Sequence, residues 1–249
     1  MRKLFTKGDS NPKIAKSDKA GRNFLTQILH LAPAKESGYE VCSSRSVGCT
    51  LGCLYNQGRG RMNNTQKARI ARTVAWMEDR AVFKSQVIKE IAAFVRKCDK
   101  LNTMAAIRMN GTSDILWEVQ FEELFSKFPQ VQFYDYTKHV KRCLTDYALP
   151  TNYHLTFSKS EDNDKDCLRV LDAGLWSVAV VFRDSNFPTE YWDRPVYSAD
   201  EDDLRFFDPP SQVGGLVAKG TARKDDTGFV VNTETAIVEL STSNLPVLA

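Results

Sequence analysis

Six short apolar segments alternate along this chain with stretches that are long enough to form a helix. Strands that alternate with helices usually run parallel and are joined by right-handed crossovers. The alternation therefore predicts an α/β fold, built either as a doubly wound sheet or as a complete or partial barrel. The predicted strands span residues 23–31, 104–109, 131–136, 153–157, 176–182 and 214–218.

Several of the intervening stretches carry apolar residues at helical spacing. Asn64 or Thr65 can cap a helix, and two helical stretches are predicted to follow and to run to about Lys97. Further helices are predicted at residues 117–128, 138–147 and 164–173, whereas the Pro-rich, acidic residues 183–212 are predicted to be loop.

Polar side chains share one face on each of three consecutive predicted strands, because alternate residues of a strand point to the same side. A sheet covered by helices on both faces would bury these groups against apolar helices, whereas a barrel turns them into one lumen. We therefore predict a partial (βα)6 TIM-like barrel with a polar interior. The alternative is a packed core in which these groups satisfy one another. The residues are Arg108, Asn110, Gln132, Tyr134, Tyr136, His154, Thr156 and Ser158.

A glycine-rich loop with three cysteines follows the first predicted strand. Cys42, Cys49 and Cys53 are separated by six and then three residues. Three thiolates can converge on one metal centre and leave a fourth coordination position open, which favours an iron–sulfur cluster. A zinc site completed by the distant His30, or ordinary half-buried thiols, are the alternatives, and the Cys-x2-Cys pairs typical of zinc ribbons are absent. The isolated cysteines, predicted to be buried apolar side chains, are Cys98, Cys143 and Cys167.

Length and composition suit one globular domain, since the chain has 249 residues of which 42% are hydrophobic. Residues 1–20 are polar and are predicted to be a flexible lead-in, followed by a single barrel-like domain over residues 21–249. The net charge of +3 indicates no strongly basic field. Neither a signal peptide nor a membrane span is predicted, so we expect a cytoplasmic protein without membrane association.

Polar residues also follow the predicted strands, and in barrels the active site assembles at the carboxyl ends of the strands. Residues 110–114 follow the second strand, and Gly111 permits a tight turn whose backbone amides can meet an anion. The other polar loops begin at Thr137, Ser158 and Lys219. The cysteine loop is expected at the same end of the barrel.

This strand order with a three-cysteine loop after the first strand resembles the radical S-adenosylmethionine superfamily. The resemblance implies that Cys42, Cys49 and Cys53 hold a [4Fe-4S] cluster whose fourth iron binds S-adenosylmethionine. The spacing Cys-x6-Cys-x3-Cys differs from the superfamily's usual Cys-x3-Cys-x2-Cys, and residues 110–114 stand in place of its Gly-Gly-Glu motif. The residues implied for the cofactor are Asn110, Ser113, Asp114 and Ser158.

The same resemblance implies that hydrogen is abstracted from a substrate held in the lumen. The substrate expected is a small anionic molecule, such as a nucleotide or nucleobase. The residues implied to position it are Arg108, Tyr134, Tyr136, His154 and Lys219.

A closer resemblance covers nearly the whole chain. Together with the Cys42 loop, the segments RIARTVAWMEDR, IRMNGTSD, VQFYDYTK, YHLTFSKSE, DLRFFDPP and GLVAKGTAR resemble the phage gene-product-88 family. This resemblance implies a bacteriophage or mobile-element origin and a host-cytoplasm setting, but no settled activity. The reaction is therefore inferred from the residues themselves.

Two other functions fit the sequence. The first is a zinc-stabilised binding protein without a reaction, because basic side chains near the cysteines supply salt-sensitive affinity for nucleic acid or a host factor. The second is hydrolysis at a metal site with Asp114 or Glu161 as the base. The sequence lacks a His-rich ligand set for such a site. The basic residues concerned are Arg45, Arg59, Arg61, Lys67, Arg69 and Arg72.

Overall fold

The structure, a computed structural model, describes residues 3–7 and 21–233. Most of the predicted lead-in and the end of the predicted domain, residues 234–249, lie outside the described residues. Part of that lead-in is nevertheless a strand, β1 (Phe5–Lys7), which pairs antiparallel with the next strand. Phe5 is buried there, because its apolar ring packs into the main core.

Ten strands and seven α-helices are seen in the described residues. The remaining strands are β2 (Phe24–Leu29), β3 (Met104–Arg108), β4 (Val131–Thr137), β5 (Tyr153–Ser158), β6 (Val178–Phe182), β7 (Glu190–Tyr191), β8 (Arg194–Ser198), β9 (Val213–Val217) and β10 (Val230–Val231). The helices are α1 (Ala34–Ser37), α2 (Val47–Leu51), α3 (Asn63–Glu78), α4 (Arg80–Lys100), α5 (Trp117–Gln120), α6 (Glu123–Lys127) and α7 (Asp164–Ala173).

The strands form one sheet of mostly parallel strands in the order β1-β2-β3-β4-β5-β6-β9-β8-β7. Its six central strands, β2 to β6 and β9, are parallel and follow one another in chain order. A doubly wound sheet reverses its strand order at a switch point, and these six central strands do not. The predicted α/β fold with parallel strands is thus confirmed, but no pairing between described strands closes the sheet into a barrel.

Strand β10 lies where β5 and β6 separate. β5 pairs with Val178 and Ala179 at the start of β6, whereas β10 pairs with Val181 and Phe182 at its end. The chain near its described end is therefore inserted between two central strands at the carboxyl edge of the sheet.

Three predicted elements differ from the structure. Residues 138–147 form only a 3-10 turn, Val140–Cys143, because Arg142 is drawn into a buried ion pair rather than lying on a helical face. The predicted helix over residues 117–128 is divided into α5 and α6 at Phe121, whose ring is buried. Residues 183–212 were predicted to be loop, but they contain β7 and β8, which extend the sheet beyond β9.

The two faces of the sheet are covered differently. Its outer face packs against α4 to α7 in the main hydrophobic core, with Phe133 and Leu155 among the fully buried side chains. Its inner face is covered by the segment 199–208, in which Leu204 and Phe206 pack against Tyr134. Within the described residues, no helix combines the length and the apolar character that a bilayer crossing requires.

Candidate functional site

The cysteine loop has a defined local structure. The side chain of Ser46 caps α2 by accepting a hydrogen bond from the backbone N–H of Cys49, at 3.2 Å. Helix α2 ends at Leu51 with Gly52 as its C-cap, and Cys53 then caps a 3-10 turn, Leu54–Asn56. Cys49 is thereby held within this short helix, and Cys53 at the start of the turn that follows it.

Glu161, in the loop after β5, fixes the cysteine loop to the sheet. Its carboxylate accepts hydrogen bonds from the hydroxyl of Ser46 at 2.6 Å and from the backbone N–H of Gly48 at 2.7 Å. Burial alone would raise the pKa of Glu161, but these hydrogen bonds outweigh it and lower that pKa. Glu161 thus acts here as an ionised anchor for the loop.

Gly48 brings the loop close to the chain around β10. A Cβ atom at this position would lie 2.2 Å from the Oγ1 atom of Thr227 and 2.4 Å from the Cβ atom of Phe229. No side chain fits into that space, so the close packing requires glycine.

The three thiols lie close enough to influence one another electrostatically. Burial, followed by the nearby charges of Asp114 and Cys49, raises the pKa of Cys42 to about 12. Burial also raises the pKa of Cys53, with Cys49 contributing in the same direction. All three cysteines are free and half-buried.

The donor set suits a metal that prefers sulfur ligands, because three thiols are gathered on one loop. The backbone N–H of Tyr55 also points to the sulfur of Cys53 at 3.5 Å, as amides do around cluster sulfurs. As the side chains stand, no group of three or more His, Cys, Asp or Glu residues in the described parts of the chain is arranged to hold a metal ion.

Lys138, directly after β4, provides positive charge beside the cysteines. Its ammonium group donates a 3.0 Å hydrogen bond to the hydroxyl of Ser158, and its charge lowers the pKa of both Cys42 and Cys53 against the effect of burial. His139 follows it, and its Nδ1 atom lies 3.1 Å from the hydroxyl of Ser44. The ammonium group of Lys138 is therefore close enough to compensate negative charge on the thiolates of Cys42 and Cys53.

The loop 110–114 at the end of β3 is held by its own side chains. Asn110 accepts hydrogen bonds from the hydroxyl of Ser113 at 2.9 Å, from the backbone N–H of Ile115 at 3.0 Å and from the indole of Trp117 at 3.0 Å. Asn110 and Ser113, predicted to bind the cofactor, thus use their side chains to shape this loop.

Asp114 belongs to a buried ion network behind the loop. Its carboxylate accepts a 2.8 Å hydrogen bond from the backbone N–H of Lys138 and lies 3.4 Å from the guanidinium of Arg142. Arg142 in turn donates to Glu118 at 2.7 and 2.8 Å and to the hydroxyl of Tyr153 at 3.1 Å. In this structure Asp114 therefore links the loops after β3 and β4.

The inner face of the sheet brings together four of the five predicted substrate residues. Tyr134 of β4 lies directly opposite His154 of β5. Arg108 follows Ile107, which forms the last residue pair between β3 and β4. The guanidinium of Arg108 lies 4.7 Å from the ring centre of Tyr136. The segment 199–208 adds charged side chains of its own. We call the following residues the inner-face cluster: Arg108, Tyr134, Tyr136, His154, Asp203, Arg205 and Asp208.

Charges in the inner-face cluster are paired within the protein. Arg108 lies 3.4 Å from Asp203, and Arg205 lies 3.1 Å from Asp208. Burial and the charge of Arg205 lower the pKa of His154 to about 4, so its ring is neutral at pH 7. The arginines of this face are thus neutralised by carboxylates from the covering segment.

Several polar atoms of this face are buried without a hydrogen-bond partner among the described residues. They include the Nε atom of Arg108, the Nε2 atom of His154 and the hydroxyl of Thr156. Because leaving such atoms unsatisfied costs free energy, the face is suited to water or a small polar ligand.

The remaining predicted residues lie elsewhere. Lys219 is exposed and pairs at 2.7 Å with Asp200 of the covering segment, not with the strands of the inner face. Arg59 and Arg61 are exposed in the 3-10 turn Gly58–Arg61, and Arg72 is half-buried. Arg69 is only 8% exposed, so it does not belong to the basic surface predicted for nucleic acid.

The sequence did not predict the roles of three residues. Glu161 anchors the cysteine loop, and Arg142 and Glu118 form a buried ion pair. The polar sequence after β5 indicated a functional loop, but not which residue it contacts 115 positions earlier in the chain. Nothing in the sequence predicted the ion pair, because Arg142 and Glu118 are 24 residues apart and belong to no common helical or strand pattern.

Fold and site together define an α/β protein with six central parallel strands in chain order and a cysteine loop at their carboxyl edge. The chain belongs to the gene product 88 family, whose model matches residues 3–233. No curated protein and no solved structure matches it. The resemblance to the radical S-adenosylmethionine superfamily therefore finds no support in these comparisons.

Proposed function

We propose that the protein is an iron–sulfur enzyme of the radical S-adenosylmethionine type. Its substrate would be a small anionic molecule such as a nucleotide or nucleobase, and its setting the cytoplasm of a phage-infected host. The observation that carries this proposal is the presence of three free, half-buried thiols on one loop, beside the carboxyl ends of sequential parallel strands. When bound, the [4Fe-4S] cluster with its cofactor would supply a hydrogen-abstracting radical.

The chain's own residues would hold and orient this centre. Cys42, Cys49 and Cys53 would be the ligands, and Glu161 would keep their loop in register with the sheet through Ser46. The ammonium group of Lys138 would offset the negative charge of the thiolates.

The loop 110–114 would provide the shape of the cofactor site rather than free side chains. Asn110 accepts a hydrogen bond from the hydroxyl of Ser113, and Asp114 accepts one from the backbone N–H of Lys138. Ser158 would reach the cofactor together with the Lys138 ammonium group that already donates to it.

The substrate would lie on the inner face, on the assumption that the sheet curves there into a partial barrel. The unpartnered atoms of Arg108, His154 and Thr156 would bind its polar groups. The segment 199–208, which packs across this face through Leu204 and Phe206, would separate the substrate from bulk water.

Metal analysis tests the proposal first. Protein purified without oxygen should contain about four iron and four sulfide per chain, as a [4Fe-4S] cluster requires. Cys42→Ala, Cys49→Ala and Cys53→Ala should each lose both. Cys98→Ala is the matched control, because Cys98 is buried in the main core on α4 and should leave the metal content unchanged.

Cofactor binding tests the second part. S-adenosylmethionine should alter the electron paramagnetic resonance spectrum of the reduced cluster, and chromatography should detect slow release of deoxyadenosine. An unchanged spectrum without deoxyadenosine, in protein that holds a full cluster, would rule out the radical mechanism.

A zinc-stabilised binding protein without a reaction is the second candidate. It is favoured by four exposed apolar side chains on or next to the cysteine loop: Val47 (69% exposed), Leu51 (62%), Leu54 (56%) and Met62 (60%). Contiguous exposed apolar groups commonly mark a surface that binds a partner. Stoichiometric zinc without sulfide would favour this function over the enzyme.

A further inference from the structure

Arg69, on α3, is a buried cation without a carboxylate partner in the described chain. It is 8% exposed, and the hydrogen bond of its guanidinium is a long one, 3.4 Å from Nη1 to the carbonyl oxygen of Tyr55. Two other buried arginines and the half-buried Arg108 each have a carboxylate within 3.4 Å: Arg142 with Glu118, Arg205 with Asp208 and Arg108 with Asp203. The exception is notable because a buried charge is costly unless it is paired.

The surroundings of Arg69 are rich in basic residues and contain an unsatisfied hydroxyl, that of Tyr55, whose pKa is raised by burial and then by the charge of Glu36. From residue 41 to residue 77 the chain has six basic residues and no acidic one. Tyr55 is fully buried against Arg69, with its ring centre 5.5 Å from the guanidinium, and its hydroxyl has no hydrogen-bond partner among the described residues. His30 lies within electrostatic range and is neutral, because burial and then Arg69 lower its pKa to about 3.

The backbone keeps this region compact. A Cβ atom at Gly60 would lie 2.5 Å from the carbonyl oxygen of Tyr55 and 3.2 Å from the Nη1 atom of Arg69. Glycine at position 60 therefore keeps a side chain away from the Nη1 atom of Arg69. The charge, the planar set of donors and the tyrosine hydroxyl together favour a carboxylate or a phosphate group.

We propose that Arg69 and the hydroxyl of Tyr55 form a binding site for the carboxylate or phosphate group of a small molecule, between α3 and the cysteine loop. The site lies beside Cys53, whose pKa is influenced by Arg69. It does not depend on a metal, so it can be tested separately from the proposed iron–sulfur chemistry.

The test uses metal-free, full-length protein and two probes, inorganic phosphate and acetate, titrated at constant ionic strength against chloride. The melting temperature of the wild-type protein should rise saturably by about 2 to 4 °C with the anion that fits. Saturation with phosphate alone would indicate a phosphate-bearing ligand, and saturation with acetate alone a carboxylate. Arg69→Met should abolish the rise. Arg69→Lys, which keeps the charge without the planar donors, should weaken the apparent affinity about tenfold.

Arg72→Met is the matched control on the same helix. Arg72 donates to the carbonyl oxygen of Lys3 and has Glu90 nearby, so its charge is already compensated. This variant should leave the anion-dependent rise intact. The proposal is overturned if neither anion stabilises the wild-type protein more than chloride does, or if Arg69→Lys and Arg69→Met respond as the wild type does.

Discussion

The carboxylate of Glu161 accepts a 2.6 Å hydrogen bond from the hydroxyl of Ser46, a residue 115 positions earlier in the chain. The same hydroxyl accepts a hydrogen bond from the backbone N–H of Cys49 and so caps the short helix that contains this cysteine. The geometry of the cysteine loop therefore depends on a contact with the far half of the sheet.

Replacing Glu161 should loosen the cysteine loop. Glu161→Ala removes the acceptor for Ser46 and for the backbone N–H of Gly48, and should reduce the free energy of unfolding by about 1 to 3 kcal/mol. Cys49 should then react faster with a thiol reagent in the folded protein. Glu201→Ala, at an exposed position, is the control. Unchanged thiol reactivity in Glu161→Ala would show that the loop does not depend on this anchor.

Gly48 should not tolerate even one added carbon. In Gly48→Ala the new Cβ atom would lie 2.2 Å from Thr227, and relieving that overlap should cost roughly 1 to 3 kcal/mol in urea denaturation. Gly52→Ala is the matched control in the same loop, because its nearest contacts are at 3.3 Å and a small adjustment relieves them. Equal losses in the two variants would contradict the close packing at Gly48.

Asp135 should make stability depend on pH. Burial raises its pKa to about 7, against the hydrogen bonds from Tyr153 and Asn110 that lower it. An unfolded aspartate titrates near pH 3.9. Because the folded-state pKa is the higher one, the contribution to stability is complete below about pH 4 and is lost as the pH rises through about 7.

Urea denaturation at pH 5 and pH 8 checks this. The wild-type protein should lose on the order of 1 to 3 kcal/mol more than Asp135→Asn over this interval. Comparison with that variant removes the contribution of other titrating groups, such as Asp208, whose pKa burial raises to about 6. Parallel pH profiles would contradict the raised pKa of Asp135.

Removing Arg142 should strongly destabilise the fold. Arg142→Gln leaves Glu118 and Asp114 buried without their cation, which should cost about 3 to 5 kcal/mol. The control is Arg169→Gln, since Arg169 pairs with Asp166 on the surface of α7 and should contribute less than about 1 kcal/mol. Similar losses in both variants, measured by chemical denaturation, would show that the buried network is not stabilising.

The sequence predicted the parallel α/β fold because the apolar segments and the helices between them have different periods. It also predicted the shared face of Arg108, Tyr134 and His154, since a strand places alternate residues on the same side. It did not predict the covering segment 199–208, because Asp203 and Leu204 are positioned by contacts with strands that are distant in the chain. The cysteine loop was located from its composition, whereas the anchor Glu161 became evident only from the structure.

The insertion of β10 between β5 and β6 has a consequence for synthesis. The cysteine loop begins near residue 42, but it packs against Thr227 and Phe229, which leave the ribosome almost two hundred residues later. During most of translation the loop therefore lacks one of the surfaces that hold it. Any ligand that needs the loop in its final position can be bound tightly only when nearly the whole polypeptide has been made.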